Sequence, residues 1–101
     1  MKFYKFINIV TPNYPVAFNN RGVLFHSLNK MEKALTDYTE AINIDNNYHN
    51  AYYNRSLIYS KMGNCKKAIN DINQAISIDS NDANYYYRSS YYYFKINKYN
   101  K

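Results

Sequence analysis

The sequence predicts an all-α fold in which short helical hairpins stack into an array. Sliding the chain against itself by 34 residues superposes residues 15–48 on residues 49–82, with 11 of the 34 positions identical. A period of that length marks stacked supersecondary units. Small and apolar residues inside each unit recur at three- and four-residue spacing, the period of one helix face. Two glycines and two prolines in 101 residues leave too little punctuation for an all-β chain, which turns every few residues.

Each unit reads as two antiparallel helices. In the first helix, Phe18, Gly22 and Phe25 correspond to Tyr52, Ser56 and Tyr59, spaced to form one inward face. Gly22, Ser56 and Ser90 form a series at the same 34-residue spacing, placing a small residue near the middle of each first helix. In the second helix, Ala34, Tyr38, Ala41 and Ile42 correspond to Ala68, Ile72, Ala75 and Ile76, again on one face. The rings of the first helix are expected to fill the space over the alanines of the second. Asn29 and Gly63 mark the turns, and Asn64 is the expected N-cap of the helix that follows it. Turns this short force antiparallel neighbours.

These residues resemble the tetratricopeptide repeat (TPR) family, whose pattern sets a bulky aromatic, a small residue and a tyrosine on the first helix, and an alanine, an aromatic and a second alanine on the second. The resemblance divides the chain into a remnant of a preceding second helix with its connector over 1–14, whole units over 15–48 and 49–82, and the first helix of a truncated third unit over 83–101. In that last unit Tyr86, Ser90 and Tyr93 fall on the pattern, and Ser90 and Lys95 fix its frame without a one-residue shift. Pro12 stands where the family often carries proline before a new unit. The departures are Arg21 and Arg55, where leucine is usual, and Asn46 and Ser80, where proline is common. The implied architecture is a right-handed α-α superhelix. Arrays of this kind normally need about three units and a polar cap, so marginal stability is expected for this chain on its own.

The formal net charge is +6, but Lys2, Lys5, Lys95, Lys98 and Lys101 supply five of those charges at the two ends. Between residues 6 and 94, eight Lys and Arg oppose seven Asp and Glu, a net of +1. A nucleic-acid reader would carry a basic stripe over its folded body, so no nucleic-acid partner is expected. An RNA-binding helical repeat is the rival, since Tyr and Arg can stack on bases. The abundant Asn, Lys, Tyr and Ile are residues with A- and T-rich codons, so the fourteen tyrosines are not in themselves a site. Apolar runs fall far short of the ~20 residues of a membrane span, and no membrane partner is expected. The lone Cys65 forms no intrachain disulfide, which fits a reducing, cytoplasmic location.

No nucleophile, base and orienting acid assemble on the pattern, so neither enzymatic activity nor a cofactor is expected. His26 and His49 lack a second ligand at metal spacing, Cys65 occupies a packing position of the family pattern, and Arg21 and Arg55 are expected to be surface side chains that bridge to neighbouring acids. The resemblance instead implies a scaffold that binds a peptide segment of another protein in a concave groove built from the first helices. Carried over, the groove residues are Asn19, Val23 and His26 from the first unit, Asn50, Tyr53, Asn54, Leu57 and Lys61 from the second, and Asn84, Tyr87, Arg88 and Tyr91 from the last helix. This wall suits an acidic or apolar peptide. One subfamily clamps the acidic tails of chaperones. Asn54 and Arg88 match that clamp, while Asn19, Val23 and Asn84 do not. A structural or oligomerising spacer is the alternative role, with self-association through the tyrosine-rich last helix.

Overall fold

The structure, a computed structural model, describes residues 13–99. The expected remnant helix over 1–14 therefore lies outside the described residues, apart from Asn13 and Tyr14. Five α-helices follow in order: α1 Tyr14–Ser27, α2 Met31–Ile44, α3 His49–Lys61, α4 Cys65–Ile78 and α5 Ala83–Tyr99. There is no strand among the described residues.

Local sequence sets each boundary. Asn13 caps α1 by accepting the Val16 N–H, with Pro15 in the first turn, where its missing N–H costs nothing. Asn64 caps α4 by accepting the Lys67 N–H at 3.1 Å, as the sequence predicts. Asn29 and Gly63 close the two hairpins in the left-handed region, at φ of 60° and 82°, which glycine and asparagine tolerate best.

The alanines make the close approach possible. Ala34, Ala41, Ala68 and Ala75 are all at 0% exposure. Phe25 packs on the cluster of Ala34 and Tyr38, and Phe18 on that of Ala41 and Ile42. Tyr52 and Tyr59 pack on the cluster containing Ala68, Ile72 and Ala75. Fully burying aliphatic side chains such as Ile58 and Ile72, both at 0% exposure, contributes about 1.5–3 kcal/mol each.

Ion pairs to buried aspartates lock the hairpins. Arg21 donates from Nε and Nη2 to the two oxygens of Asp37, both at 2.8 Å, and Arg55 repeats this with Asp71 at 2.8 Å. The expectation that both arginines bridge to acids holds. Arg55 is largely buried rather than a surface group, with its side chain 18% exposed against 58% for Arg21. It also donates Nη1 to Thr39 Oγ1 at 3.2 Å, tying α3 to both α2 and α4. Burial opposes its charge, but the hydrogen bond and charge of Asp71 prevail and raise its pKa. Burial pushes the Asp71 carboxyl up, with Arg55 working against it.

Helix α5 packs on the second hairpin through Tyr85 and Tyr92, at 2% and 0% exposure. They stand 34 residues after Ala51 and Ile58, which are likewise buried, so the unshifted frame is the observed one. The Tyr85 hydroxyl donates to Asn50 Oδ1 at 3.0 Å, leaving its oxygen to accept from His49 Nδ1–H at 2.6 Å. Tyr92 and Ser56 share a buried hydroxyl–hydroxyl hydrogen bond of 3.0 Å.

Candidate functional site

The first helices α1, α3 and α5 line a cleft of about 350 Å³ formed by His26, Leu57, Ser60, Lys61, Arg88, Tyr91 and Lys95. Five of the twelve groove residues expected from sequence converge there: His26, Leu57, Lys61, Arg88 and Tyr91. Leu57, Lys61, Arg88, Tyr91 and Lys95 are spaced by three and four residues on their own helices, and this turns them to a common side. Three permanent cations and a histidine meet with no carboxylate in the lining. Burial first, and the Lys61 charge second, hold the His26 pKa below its ordinary 6.5.

The Tyr91 ring organises the cationic wall. The Arg88 guanidinium lies 5.9 Å and the Lys95 ammonium 5.5 Å from its centroid, and Arg88 also lies 5.8 Å from Tyr87. Cation–π contact of this kind helps to hold a long side chain in place. An incoming anion therefore meets cations that have no carboxylate beside them in the cleft.

The remaining expected residues divide into two groups. Val23 and Tyr87 are exposed, at 46% and 66%, and Asn84 is also open to solvent. Asn19 is buried at 5% exposure, and its side-chain oxygen accepts from Asn54 Nδ2 at 3.0 Å. Asn50 is engaged by Tyr85. The Tyr53 ring packs on that of Tyr85, centroids 5.0 Å apart and tilted by 31°. These four side chains tie the first helices to one another.

A second cleft, of about 670 Å³, adjoins the first between the α3–α4 turn and α5, and shares Ser60 and Lys95 with it. Met62 and Lys66 also line it, and the sequence reading did not single them out. Met62 closes α3 and Lys66 lies in the first turn of α4, at helix ends where the periodic packing pattern gives no signal. Among the described residues there is no group of three or more His, Cys, Asp or Glu able to hold a metal ion, and no helix long and apolar enough to cross a membrane.

Comparison with known proteins gives a consistent picture. A family profile described as "TPR repeat" matches residues 22–63, and one described as "Tetratricopeptide repeat" matches residues 49–82. No curated protein sequence matches. Among solved structures, the chain is similar to the second TPR of Spaghetti (RPAP3) bound to HSP90 peptide SRMEEVD, at a TM-score of 0.82 and 26% identity, covering 87% of this chain and 82% of that one. It is also similar in fold to the first TPR of the same protein bound to the same peptide, at a TM-score of 0.79 and 20% identity, covering 81% of this chain and 65% of that one.

Proposed function

The chain belongs to the tetratricopeptide repeat family, and from that premise we propose that it is a non-enzymatic scaffold binding a peptide segment of a partner protein across α1, α3 and α5. The units are 15–48 and 49–82, followed by α5 as the first helix of a third. The observation that carries this reading is the cleft where His26, Lys61, Arg88 and Lys95 converge without an acid. It seats the acidic side chains of the peptide, while Leu57, Val23 and Tyr87 offer apolar contacts. The similar RPAP3 domain bound to SRMEEVD supports an acidic peptide as ligand. The binding mode differs from the chaperone-tail clamp. Asn19, Val23 and Asn84 supply no charge, and Asn54 spends an amide N–H on Asn19, so charge-assisted capture of a terminal carboxylate is weak.

A labelled peptide with two adjacent glutamates flanked by apolar residues, titrated into the chain beside its Glu→Gln form, tests this. The acidic form is expected to bind at least about tenfold more tightly, with an affinity that falls as salt rises. Lys61→Glu and Arg88→Glu should each abolish the preference. Equal binding of the two peptides, or tighter and more steeply salt-dependent binding of single-stranded RNA than of either, would overturn the reading.

A further inference from the structure

The side of α5 opposite the cleft repeats a helix-receiving surface. Tyr86, Ser90 and Tyr93 stand 34 residues after Tyr52, Ser56 and Tyr59, and 68 after Phe18, Gly22 and Phe25. Those two earlier combs each receive an alanine-faced helix, α2 on α1 and α4 on α3. On α5 the comb is bare: Tyr86 and Tyr93 are each 47% exposed. Its first ring is nevertheless anchored as its counterpart is. The Tyr86 hydroxyl donates to the Ser80 carbonyl at 2.9 Å, as that of Tyr52 does to the Asn46 carbonyl at 3.2 Å.

One position departs from the repeat. Arg21 lies between Phe18 and Phe25, 5.6 and 5.7 Å from their centroids, and Arg55 lies similarly near Tyr52 and Tyr59 at 5.9 and 5.7 Å. Each arginine satisfies a buried aspartate three residues after the first alanine of the incoming helix. The equivalent residue on α5 is Ser89. A helix bringing the same aspartate there would bury a carboxylate with no cation to meet it.

We propose that this face of α5 is a docking site for an amphipathic helix of a partner polypeptide, one with alanines seven residues apart, a branched apolar residue between them, and an uncharged residue where α2 and α4 carry Asp37 and Asp71. A second copy is a poor occupant. Its alanine faces are already at 0% exposure inside its own hairpins, and its α5 would set rings against rings. This surface is independent of the peptide groove, since Arg88, Tyr91 and Lys95 lie about half a turn around the helix from Tyr86 and Tyr93.

The test uses the full chain and two labelled synthetic peptides of residues 64–79, both with Cys65→Ser and one also with Asp71→Ala. The Asp71→Ala peptide is expected to bind the natural chain at least about tenfold more tightly than its parent. A Ser89→Arg chain, which recreates the arginine between two rings, should reverse that order. A Tyr86→Ala/Tyr93→Ala chain should lose both interactions yet keep its helical circular dichroism, because Tyr85 and Tyr92 make the packing contacts. An order of affinities indifferent to residue 89 would overturn the proposal, as would binding that survives loss of the two tyrosines through exchange into the α3–α4 hairpin. So would sedimentation showing a dimer that the tyrosine substitutions dissociate, since a second copy would then be the occupant.

Discussion

The ring of Tyr38 rests on Gly22 so closely that a Cβ built there would lie 2.5 Å from Cε1 and 2.8 Å from Cδ1. In the next hairpin the same two positions hold Ser56 and Ile72, so the small residue grows where the ring is lost. Helix propensity alone favours replacing a mid-helix glycine by up to about 1 kcal/mol. Here overpacking reverses the sign, and Gly22→Ser should destabilise the chain by about 1–3 kcal/mol. Adding Tyr38→Ile, which copies the second hairpin, should restore most of the loss. Urea midpoints of the two single variants and the double variant check this, and a stabilising Gly22→Ser alone would refute it.

Tyr38 makes a second prediction. Its hydroxyl is buried and has no hydrogen-bond partner among the described residues. Burial, with a contribution from Asp37, pushes its pKa up to about 12. A folded pKa above the ordinary 10 means that the neutral phenol's contribution is complete below about pH 10 and is lost as the pH climbs toward 12. Tyr38→Phe should therefore be neutral to stabilising near pH 7, by up to about 1 kcal/mol, and should soften the alkaline transition. Tyr85, pushed to about 12 by burial and then by Asp82 and Asp79, should account for much of what remains. Thermal melts at neutral and alkaline pH would show whether the phenylalanine variant melts lower at neutrality, which would point to a hidden partner for the hydroxyl.

Much of this architecture was legible because it rests on spacing. Ala34, Ala41, Ala68 and Ala75 had to face inward once the 34-residue register was set, and Asn29 and Gly63 are the residues that a left-handed turn selects. Asp37 and Asp71 were visible as an identical pair, yet their role as buried partners of Arg21 and Arg55 depends on which helix each one faces, and periodicity within one helix does not encode that. Tyr86 and Tyr93 fall on the repeat pattern, yet Tyr85 and Tyr92 make the packing contacts, as the buried Ala51 and Ile58 do one period earlier. At the groove, the resemblance to the family pattern named Lys61, Arg88 and Tyr91, and the structure brings them to one cleft. The pattern could not show that Asn19 and Asn54 satisfy each other, because an amide pair across two helices is set by distances that only folding fixes.

Arg55 and Asp71 should behave as a unit. Removing either leaves the other buried without its partner, so Arg55→Met or Asp71→Leu alone should cost about 3–5 kcal/mol. The double substitution replaces the pair by apolar groups and should cost much less, because neither charge then has to be desolvated. The loss of the Thr39 contact keeps the double variant below the natural chain. Additive single losses in a denaturation cycle would contradict the coupling.

The last prediction turns on His26, where one change of pH should move stability and ligand affinity in opposite directions. Burial and Lys61 hold its pKa below 6.5, so the imidazole is neutral near pH 7. Because the unfolded chain protonates first, its contribution to stability is complete above about 6.5 and is lost as the pH falls from there through the lower folded pKa. An anion seated among Lys61, Arg88 and Lys95 favours the imidazolium instead, so binding of an acidic peptide should tighten over the same fall in pH while the fold weakens. His26→Leu should remove both responses and leave the Arg88 and Lys95 contributions intact. Peptide titrations between about pH 7.5 and 5, above the ordinary glutamate range, decide the matter. A wild-type affinity that stays flat, or a pH response that persists in His26→Leu, would place the peptide's acidic group somewhere other than beside this histidine.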